Sequence, residues 1–296
     1  MKSNESIRRV TYHASDNVPL IADVGGDASS ATVVLMHGGG QTRHSWSGAM
    51  NALIAAGYHV INLDARGHGE SGWSPDGQYP LDVRASDLGA ALKGIRGPVG
   101  LVGASMGGAT ALMAIANDVQ PPAAALVMVD IVPRPDPIGT AKITAFMQSH
   151  PEGFATLEDA ANAVAAYNPH RPRPRDVNGL RRNLRLRKDG RFYWHWDPRM
   201  LDPGTRPEPG ELAERLIVCC AKVHVPTLLV RGMASDVVTD AGANEFKTLL
   251  PSLEIFNVPG AGHMVAGDRN DVFNEGLIEF LKQHLPAKPV TSSRAV

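Results

Sequence analysis

The chain has 296 residues, of which 43% are hydrophobic, and its 29 basic residues nearly balance its 30 acidic ones, for a formal net charge of −1. This composition indicates a globular protein with a large core and excludes an intrinsically disordered chain. The even charge balance disfavours nucleic acid as a partner. No apolar run follows the charges of Met1–Arg9, and no stretch is long enough to span a membrane, so we expect neither a signal peptide nor a membrane segment.

The two cysteines of the chain, Cys219 and Cys220, are adjacent within a helical pattern. Adjacent positions provide neither a disulfide framework nor the spacing of metal ligands. We therefore expect a cytoplasmic protein that uses no metal and no cofactor. The expected partner is a small-molecule substrate, without nucleic acid or membrane, and the expected state is a monomer or a homodimer.

Strand and helix patterns alternate along the first 130 residues. Two β-like segments at Arg8–His13 and Pro19–Val24 precede a continuous apolar run at Ala31–Met36, which is typical of a strand covered on both faces. Such alternation predicts a parallel sheet with right-handed crossovers and helices on both faces. The elements that follow are a helix carrying Trp46, Met50, Leu53 and Ile54, a strand at His59–Leu63, a helix at Asp82–Ile95, a strand at Pro98–Val102, a helix at Gly108–Ala116 and a strand at Ala123–Val129.

The alternation stops between Ile131 and about Arg215, where proline and arginine are abundant and helical patterns remain at Thr140–Gln148 and Leu157–Ala166. We interpret this segment as a mainly helical lid inserted between two strands. The sheet then resumes at Pro226–Gly232 and Leu253–Val258 and is followed by an amphipathic helix. The predicted organisation is a core domain at 1–132 and 216–286, a helical lid at 133–215 and a flexible tail at 287–296.

Ser105 is the candidate nucleophile. It lies in Gly103-Ala104-Ser105-Met106-Gly107, between an apolar strand and a helical pattern. A serine at the tip of such a sharp turn exposes its Oγ, and flanking glycines let the neighbouring backbone pass without a clash. The helix that starts after the serine directs backbone N–H groups at an oxyanion formed there.

His263 is the candidate general base, because a serine hydroxyl at neutral pH needs a base within hydrogen-bond reach. It follows a predicted strand, on the glycine-rich loop Val258–Met264. The other histidines considered belong to early strands, the insertion, a turn and the terminal helix.

The histidine also needs an acid that fixes its tautomer. We expect Asp236, in the loop after the strand that ends at Gly232, because the order Ser…Asp…His then follows the chain. Asp130 stays an alternative acid, since it ends the strand that comes directly after that of the serine.

A tetrahedral intermediate needs two preorganised donors for its negative charge. The first expected donor is the backbone N–H of Met106. The second is the N–H of Gly39, in the glycine run that follows the strand Val33–Met36.

Together these motifs resemble the α/β-hydrolase superfamily, in its branch of epoxide hydrolases, non-haem haloperoxidases and esterases. The resemblance implies an α/β fold with a mostly parallel sheet of about eight strands, flanked by helices, and a lid inserted after the sixth strand. It also implies that the run Asp64–Ser71 is a structural turn behind the site. The residues that carry the resemblance are His37-Gly38-Gly39-Gly40 with Trp46 downstream, Asp64–Ser71, Gly103–Gly107, Asp236 and His263.

One departure from that branch decides the predicted chemistry. Epoxide hydrolases carry an aspartate where this chain has Ser105. A serine suits acyl transfer, so the sequence predicts a serine hydrolase that cleaves a small carboxylic ester or lactone through an acyl-enzyme, with perhydrolysis as a side reaction of the same site. Two alternatives stay open: a C–C bond hydrolase of dienol or diketone ring-cleavage products, and a ligand receptor of the same fold.

The substrate pocket is expected to include aromatic lid residues, whose alternative role is to pack the lid onto the core. Arginines of the lid could attract a carboxylate on the substrate or simply form solvated faces. Seven residues are candidates for substrate contacts: Gly38, Gly40, Trp46, Tyr167, Tyr193, Trp194 and Met264.

Overall fold

A computed structural model describes residues 7–169, 173, 175–202, 204–205, 209–265 and 270–287. Within these residues the chain forms one eight-stranded sheet and one two-stranded sheet. The strands are β1 Arg8–His13, β2 Pro19–Gly25, β3 Thr32–Met36, β4 His59–Leu63, β5 Val99–Ala104, β6 Ala123–Val129, β7 Leu184–Leu186, β8 Phe192–Trp194, β9 Thr227–Gly232 and β10 Glu254–Val258. The helices are α1 Ser47–Ala55, α2 Leu81–Leu92, α3 Met106–Ala116, α4 Pro137–Gln148, α5 Leu157–Tyr167, α6 Pro209–Cys220, α7 Asp240–Leu249 and α8 Asn270–His284.

The large sheet has the strand order β1-β2-β4-β3-β5-β6-β9-β10. β1 and β2 pair antiparallel at one edge, and β2 is antiparallel to β4. The remaining neighbours of this sheet, in the order β4-β3-β5-β6-β9-β10, all pair in parallel. Every residue of β3 and β4 is buried, which explains why the sequence of β3 is a nearly continuous apolar run. The structure confirms the predicted mostly parallel sheet of about eight strands.

Helices cover both faces of this sheet. On one face, α2, α3 and α7 bury side chains such as Leu88, Leu112 and Phe246. On the other face, α1 and α8 pack Leu53 and Phe273 against the strands. Burying apolar side chains on both faces is what stabilises a parallel sheet in water.

The chain between β6 and β9, called the insertion below, holds α4, α5, a β7–β8 hairpin and α6. Its side chains form a third apolar cluster that includes Phe154, Leu157 and Trp194. The insertion is thus less purely helical than the sequence predicted. The predicted lid boundary at residue 215 lies inside α6, whose buried Leu216 and Cys219 pack in the core of the main sheet.

The geometry of the sheet defines where a site can form. In parallel strands the carboxyl ends meet at one edge, where ligands bind in open α/β sheets. The loops after β3, β5, β6, β9 and β10 all leave from that edge. Within the described ranges, the chain forms no helix that is both long and apolar enough to cross a bilayer.

Candidate active site

Ser105 occupies a strained turn between β5 and α3. Its backbone has φ 46° and ψ −113°, a conformation with positive φ that a side chain rarely adopts. The turn is possible because glycines, Gly103 and Gly107, stand two residues before and two residues after the serine. A methyl group added at Gly103 would lie 2.3 Å from the carbonyl carbon of Gly107, and one added at Gly107 would lie 2.3 Å from the carbonyl oxygen of Met36.

His263 pairs with Asp130. The Nδ1 of His263 lies 2.8 Å from Oδ2 of Asp130, whose side chain is fully buried, whereas the imidazole keeps 14% of its surface exposed. An ionised carboxylate only accepts hydrogen bonds, so this contact assigns a proton to Nδ1 and leaves Nε2 as the acceptor of the ring. That is the tautomer a general base requires.

The strand register brings this pair next to the serine. Ala104 of β5 is paired with Val129 of β6, so Ser105 and Asp130 are the next residues on two neighbouring strands. The N–H of Ser105 donates to the carbonyl of Val129 at 3.0 Å. Adjacent strands lie about 4.8 Å apart. The nucleophile candidate and the His263–Asp130 pair therefore share one short stretch of the sheet edge.

The prediction that Asp236 pairs with His263 is wrong in this structure, and the alternative, Asp130, makes that contact. Half of the Asp236 side chain is exposed, and its Oδ2 lies 2.8 Å from Nζ of Lys142 on α4. The loop after β9 instead directs the side chain of Ser235 inward, where its Oγ donates to Asp130 at 2.5 Å. Since neighbouring side chains on a loop diverge, Asp236 is left on the outside.

The loop after β3 passes directly over the serine. A methyl group added at Gly38 would lie 3.4 Å from Cβ of Ser105. Gly39 faces α4, since a methyl group there would lie 3.7 Å from the sulfur of Met147. On the other side of the serine, Met106 is the first residue of α3, where backbone N–H groups have no acceptor within the helix. The two predicted oxyanion donors therefore belong to backbone segments that flank Ser105.

Gln41 links this loop to the loop that carries the histidine. Its Oε1 accepts from the N–H of Gly38 at 3.1 Å, and its Nε2 lies 2.8 Å from the sulfur of Met264. Of the predicted substrate residues, Gly38 and Met264 thus lie at the two loops that border the serine. No sequence motif marks Gln41, so its position between the two loops could not be expected from the sequence.

Three buried histidines contact the loop after β3 that contains Gly38–Gly40, called the glycine loop below. The rings of His37, His68 and His195 form a row. The ring centroids of His37 and His68 are 5.1 Å apart, and those of His68 and His195 are 5.8 Å apart. His37 donates to the carbonyl of Gly38 at 2.8 Å, His68 accepts from the N–H of Gly40 at 3.2 Å, and His195 lies 3.3 Å from the carbonyl of Gly40. His195 comes from the insertion, so this row joins the insertion to the glycine loop.

Each of these imidazoles also accepts one backbone N–H, a role open only to the neutral ring. The acceptors are Nε2 of His37, Nε2 of His68 and Nδ1 of His195. Burial lowers the pKa of His37, holds the pKa of His68 well below its usual value and lowers the pKa of His195 to about 3. The three histidines that contact the glycine loop are therefore uncharged at neutral pH.

Four of the predicted substrate residues make packing contacts or hydrogen bonds within the protein. Trp46 is buried under the sheet, where its ring contacts Phe273 at a centroid distance of 5.7 Å, so the prediction that it contacts substrate is wrong. The hydroxyl of Tyr193 donates to Asp189 at 2.8 Å on an exposed hairpin. The other two aromatic candidates lie in ring stacks within the insertion, Trp194 on Trp196 at 5.0 Å and Tyr167 on Phe146 at 4.2 Å.

Three arginines of the insertion contact aromatic rings or backbone carbonyls of the protein itself. The guanidinium of Arg187 lies 3.9 Å from the ring centre of Tyr193, and that of Arg185 lies over Trp73 at 4.8 Å. Arg191 donates to the carbonyls of Glu152 and Gly153. These contacts favour the structural role for the arginines over recognition of a substrate carboxylate. In the portion of the chain with described coordinates, no group of three or more His, Cys, Asp or Glu residues could hold a metal ion.

Comparison with known proteins shows the family of this chain. A model of the alpha/beta hydrolase family matches residues 33–275. The esterase Rv0045c of Mycobacterium tuberculosis is 28% identical over 254 residues, which cover 81% of this chain and 79% of the relative. The sn-1-specific diacylglycerol lipase ABHD11 of Mus musculus is 28% identical over 281 residues, covering 86% of this chain and 82% of the lipase.

Solved structures show the same fold. A crystal structure of the M. tuberculosis esterase Rv0045c aligns with a TM-score of 0.70 at 25% identity, over 96% of this chain and 92% of that one. The structure of E-2-(acetamidomethylene)succinate hydrolase aligns with a TM-score of 0.80 at 21% identity, over 94% of this chain and 100% of that one. The second similarity concerns the fold alone.

Proposed function

The chain belongs to the alpha/beta hydrolase family, and from that membership we propose that it cleaves a small carboxylic ester or lactone through an acyl-enzyme. The proposed nucleophile is Ser105, the general base is His263 and the acid is Asp130. The observation that carries the proposal is the 2.8 Å contact between His263 and Asp130 at the strand end next to Ser105. The esterase and lipase names of two relatives support an ester as the substrate class.

In the first half-reaction, Oγ of Ser105 attacks the carbonyl carbon while Nε2 of His263 takes the hydroxyl proton. Asp130 stabilises the imidazolium and holds its tautomer through Nδ1. The imidazolium then gives its proton to the departing alcohol oxygen, and the acyl group stays on the serine. In the second half-reaction His263 deprotonates water as the water attacks the acyl carbon. The imidazolium then returns this proton to Oγ of Ser105 as the acyl C–O bond breaks and the acid is released.

Two backbone donors stabilise the oxyanion in this proposal. The N–H of Met106 starts a helix, and the N–H of Gly39 belongs to the loop that passes over Ser105. Because both are backbone groups held by packing, they need no reorganisation as charge develops on the carbonyl oxygen.

We also propose that the insertion ahead of α6 is a lid. Its Met147 lies against Gly39 and Gly40, and its His195 bonds Gly40 and Gly69. These contacts support a lid that covers the glycine loop and limits the access of water to the site. Placing α6 with the core follows from its packing beside α3.

The test is turnover of p-nitrophenyl acetate by wild-type protein and by Ser105→Ala. We expect the variant to lose about 10⁴-fold or more in kcat, because no other group can form the acyl-enzyme. The fold should persist, as judged by circular dichroism, since the hydroxyl of Ser105 is not part of the core. A fluorophosphonate should label the wild-type protein on Ser105 and leave the variant unlabelled.

A panel of esters and lactones of graded size then separates the substrate classes. Retained turnover in Ser105→Ala would remove this serine from the chemistry. Absence of both turnover and labelling in the folded wild-type protein would contradict the hydrolase proposal and favour a receptor.

A further inference from the structure

We propose that Ser235 is a positioning residue for the reaction: its hydroxyl fixes the carboxylate of Asp130 in the orientation that faces His263. The inference rests on the proposed function, because it assigns a role within the same site. Ser235 lies in the loop after β9, next to the Asp236 that the sequence favoured as the acid.

The carboxylate of Asp130 is held on both oxygens by the end of β9 and the loop that follows it. Oδ1 accepts from the N–H of Gly232 at 3.0 Å. Oδ2 accepts from Oγ of Ser235 at 2.5 Å and lies 2.8 Å from Nδ1 of His263. One donor on each oxygen prevents rotation about the Cβ–Cγ bond, so Oδ2 stays directed at the imidazole.

The hydroxyl proton of Ser235 has one available direction. A hydroxyl group has one O–H and two lone pairs. Oγ of Ser235 accepts from the N–H of Val237 at 3.1 Å and from the N–H of Val238 at 3.2 Å. Because both lone pairs are occupied by backbone donors, the O–H points at Asp130. The loop thus supplies a donor that is oriented before any substrate arrives.

Such a donor affects the chemical step and not the binding step. The side chain of Ser235 forms its hydrogen bonds with Asp130 and with the backbone of its own loop. Without it, a fully buried carboxylate keeps fewer donors and is free to turn away from the ring. The imidazolium that forms during proton transfer then loses its best-placed partner.

The test compares Ser235→Ala with Ser235→Thr, which keeps a hydroxyl on the same carbon. Ser29→Ala is the matched control, since Oγ of Ser29 donates to the exposed Asp27 at 2.7 Å, away from the site. For Ser235→Ala we expect kcat for p-nitrophenyl acetate to fall about ten- to a hundredfold, the effect of one hydrogen bond to a charged group, with KM unchanged. Ser235→Thr should restore most of kcat, and Ser29→Ala should behave as wild type.

A second measurement is independent of turnover. The proton on Nδ1 of His263 should give a far-downfield NMR resonance in the wild-type protein, assigned by its loss in Asp130→Asn. We expect this resonance to shift or broaden in Ser235→Ala and to return in Ser235→Thr.

The proposal is overturned if Ser235→Ala keeps wild-type kcat and an unchanged resonance. It is also overturned if Ser235→Thr is as impaired as Ser235→Ala, because the hydroxyl is then not the cause. Failure of the proposed function itself looks different, since the wild-type protein would then show neither turnover nor labelling at Ser105.

Discussion

At the scale of single residues, the charge of Asp130 is the feature on which the site depends. Its carboxylate is fully buried and has three donors, from Gly232, Ser235 and His263. A buried charge is tolerated only when it is paired and hydrogen-bonded. Asp236, by contrast, forms a surface ion pair with Lys142, a type of contact that contributes little to stability.

This contrast gives a paired prediction. Asp130→Asn should lower kcat about 10⁴-fold, because an amide holds the imidazole in the wrong tautomer. Asp236→Asn should change kcat less than about twofold, since its side chain points to Lys142 and solvent. Steady-state kinetics on p-nitrophenyl acetate measures both. If Asp236→Asn is the impaired variant and Asp130→Asn is not, then Asp236, which the sequence favoured, is the acid.

Local motifs in the sequence mark Ser105 and His263, and the structure places both at the carboxyl edge of the sheet. Chain order favoured Asp236 over Asp130, but the contact with His263 depends on which side chain the loop after β9 turns inward, and no sequence motif shows that. One signal was present, since Asp130 follows the strand next to that of Ser105 in the sheet. Ser235 and Gln41 carry no motif, and their roles appear only when the loops are brought together.

At the scale of elements, close packing of α3 against β3 determines the shape of the nucleophile turn. Gly107 lies where any side chain would meet the carbonyl of Met36. Gly89 offers a comparison, because it is also within a helix but has open space around its missing Cβ.

We therefore expect opposite effects from the same substitution at these two positions. Gly107→Ala should lower the free energy of unfolding by about 1–3 kcal/mol, the usual cost of overpacking, and should also impair turnover. Gly89→Ala should raise it by about 0.5–1 kcal/mol, because alanine is the better helix former. Urea unfolding followed by circular dichroism measures both values. Equal destabilisation by the two variants would contradict the packing account.

The elements were predictable where the apolar period is strong. The strands His59–Leu63 and Ala123–Val129 have the predicted bounds, and the helix predicted at Asp82–Ile95 spans Leu81–Leu92. The β7–β8 hairpin was missed because its strands have only three residues each, too few to show an alternating pattern. Its turn held the available signal, since Gly190 has φ 79° in the run Lys188-Asp189-Gly190, as expected of a three-residue hairpin loop.

At the scale of the whole molecule, the row of His37, His68 and His195 joins the insertion to the main sheet. All three rings are buried, and their pKa values are lowered by burial. Asp64 opposes this effect at His37 and His195, whereas Arg43 acts with burial at His37, Arg84 at His68 and Arg185 at His195. The net result is a neutral contact between two parts of the chain.

This contact predicts a loss of stability in acid. A histidine in the unfolded chain has a pKa of about 6.5. Below that pH the unfolded chain therefore binds protons at these histidines that the folded protein does not bind. Stability therefore falls as pH decreases from about 6.5 towards the folded pKa values, by up to about 1.4 kcal/mol per pH unit for each such histidine. Urea unfolding at pH 7.5, 6.5, 5.5 and 5.0 measures the slope.

His195→Gln is the matched variant for this experiment. The amide of glutamine can replace both the acceptor and the donor of the ring but does not titrate. We expect it to be less stable than wild type at pH 7.5, with a shallower dependence of stability on pH. An identical slope in the two proteins would show that His195 does not contribute to the acid sensitivity.

The backbone hydrogen bond from Ser105 to Val129 ties the proposed nucleophile to the middle of the sheet. The alignment of Ser105 with Asp130, the proposed acid, follows from the pairing of β5 with β6, two strands with neighbours on either side. Fraying of the outer strand β1 leaves that alignment intact, whereas fraying of the opposite outer strand, β10, would move the loop that carries His263. On heating, turnover should therefore be lost once β10 loosens, ahead of the cooperative melting of the rest of the sheet.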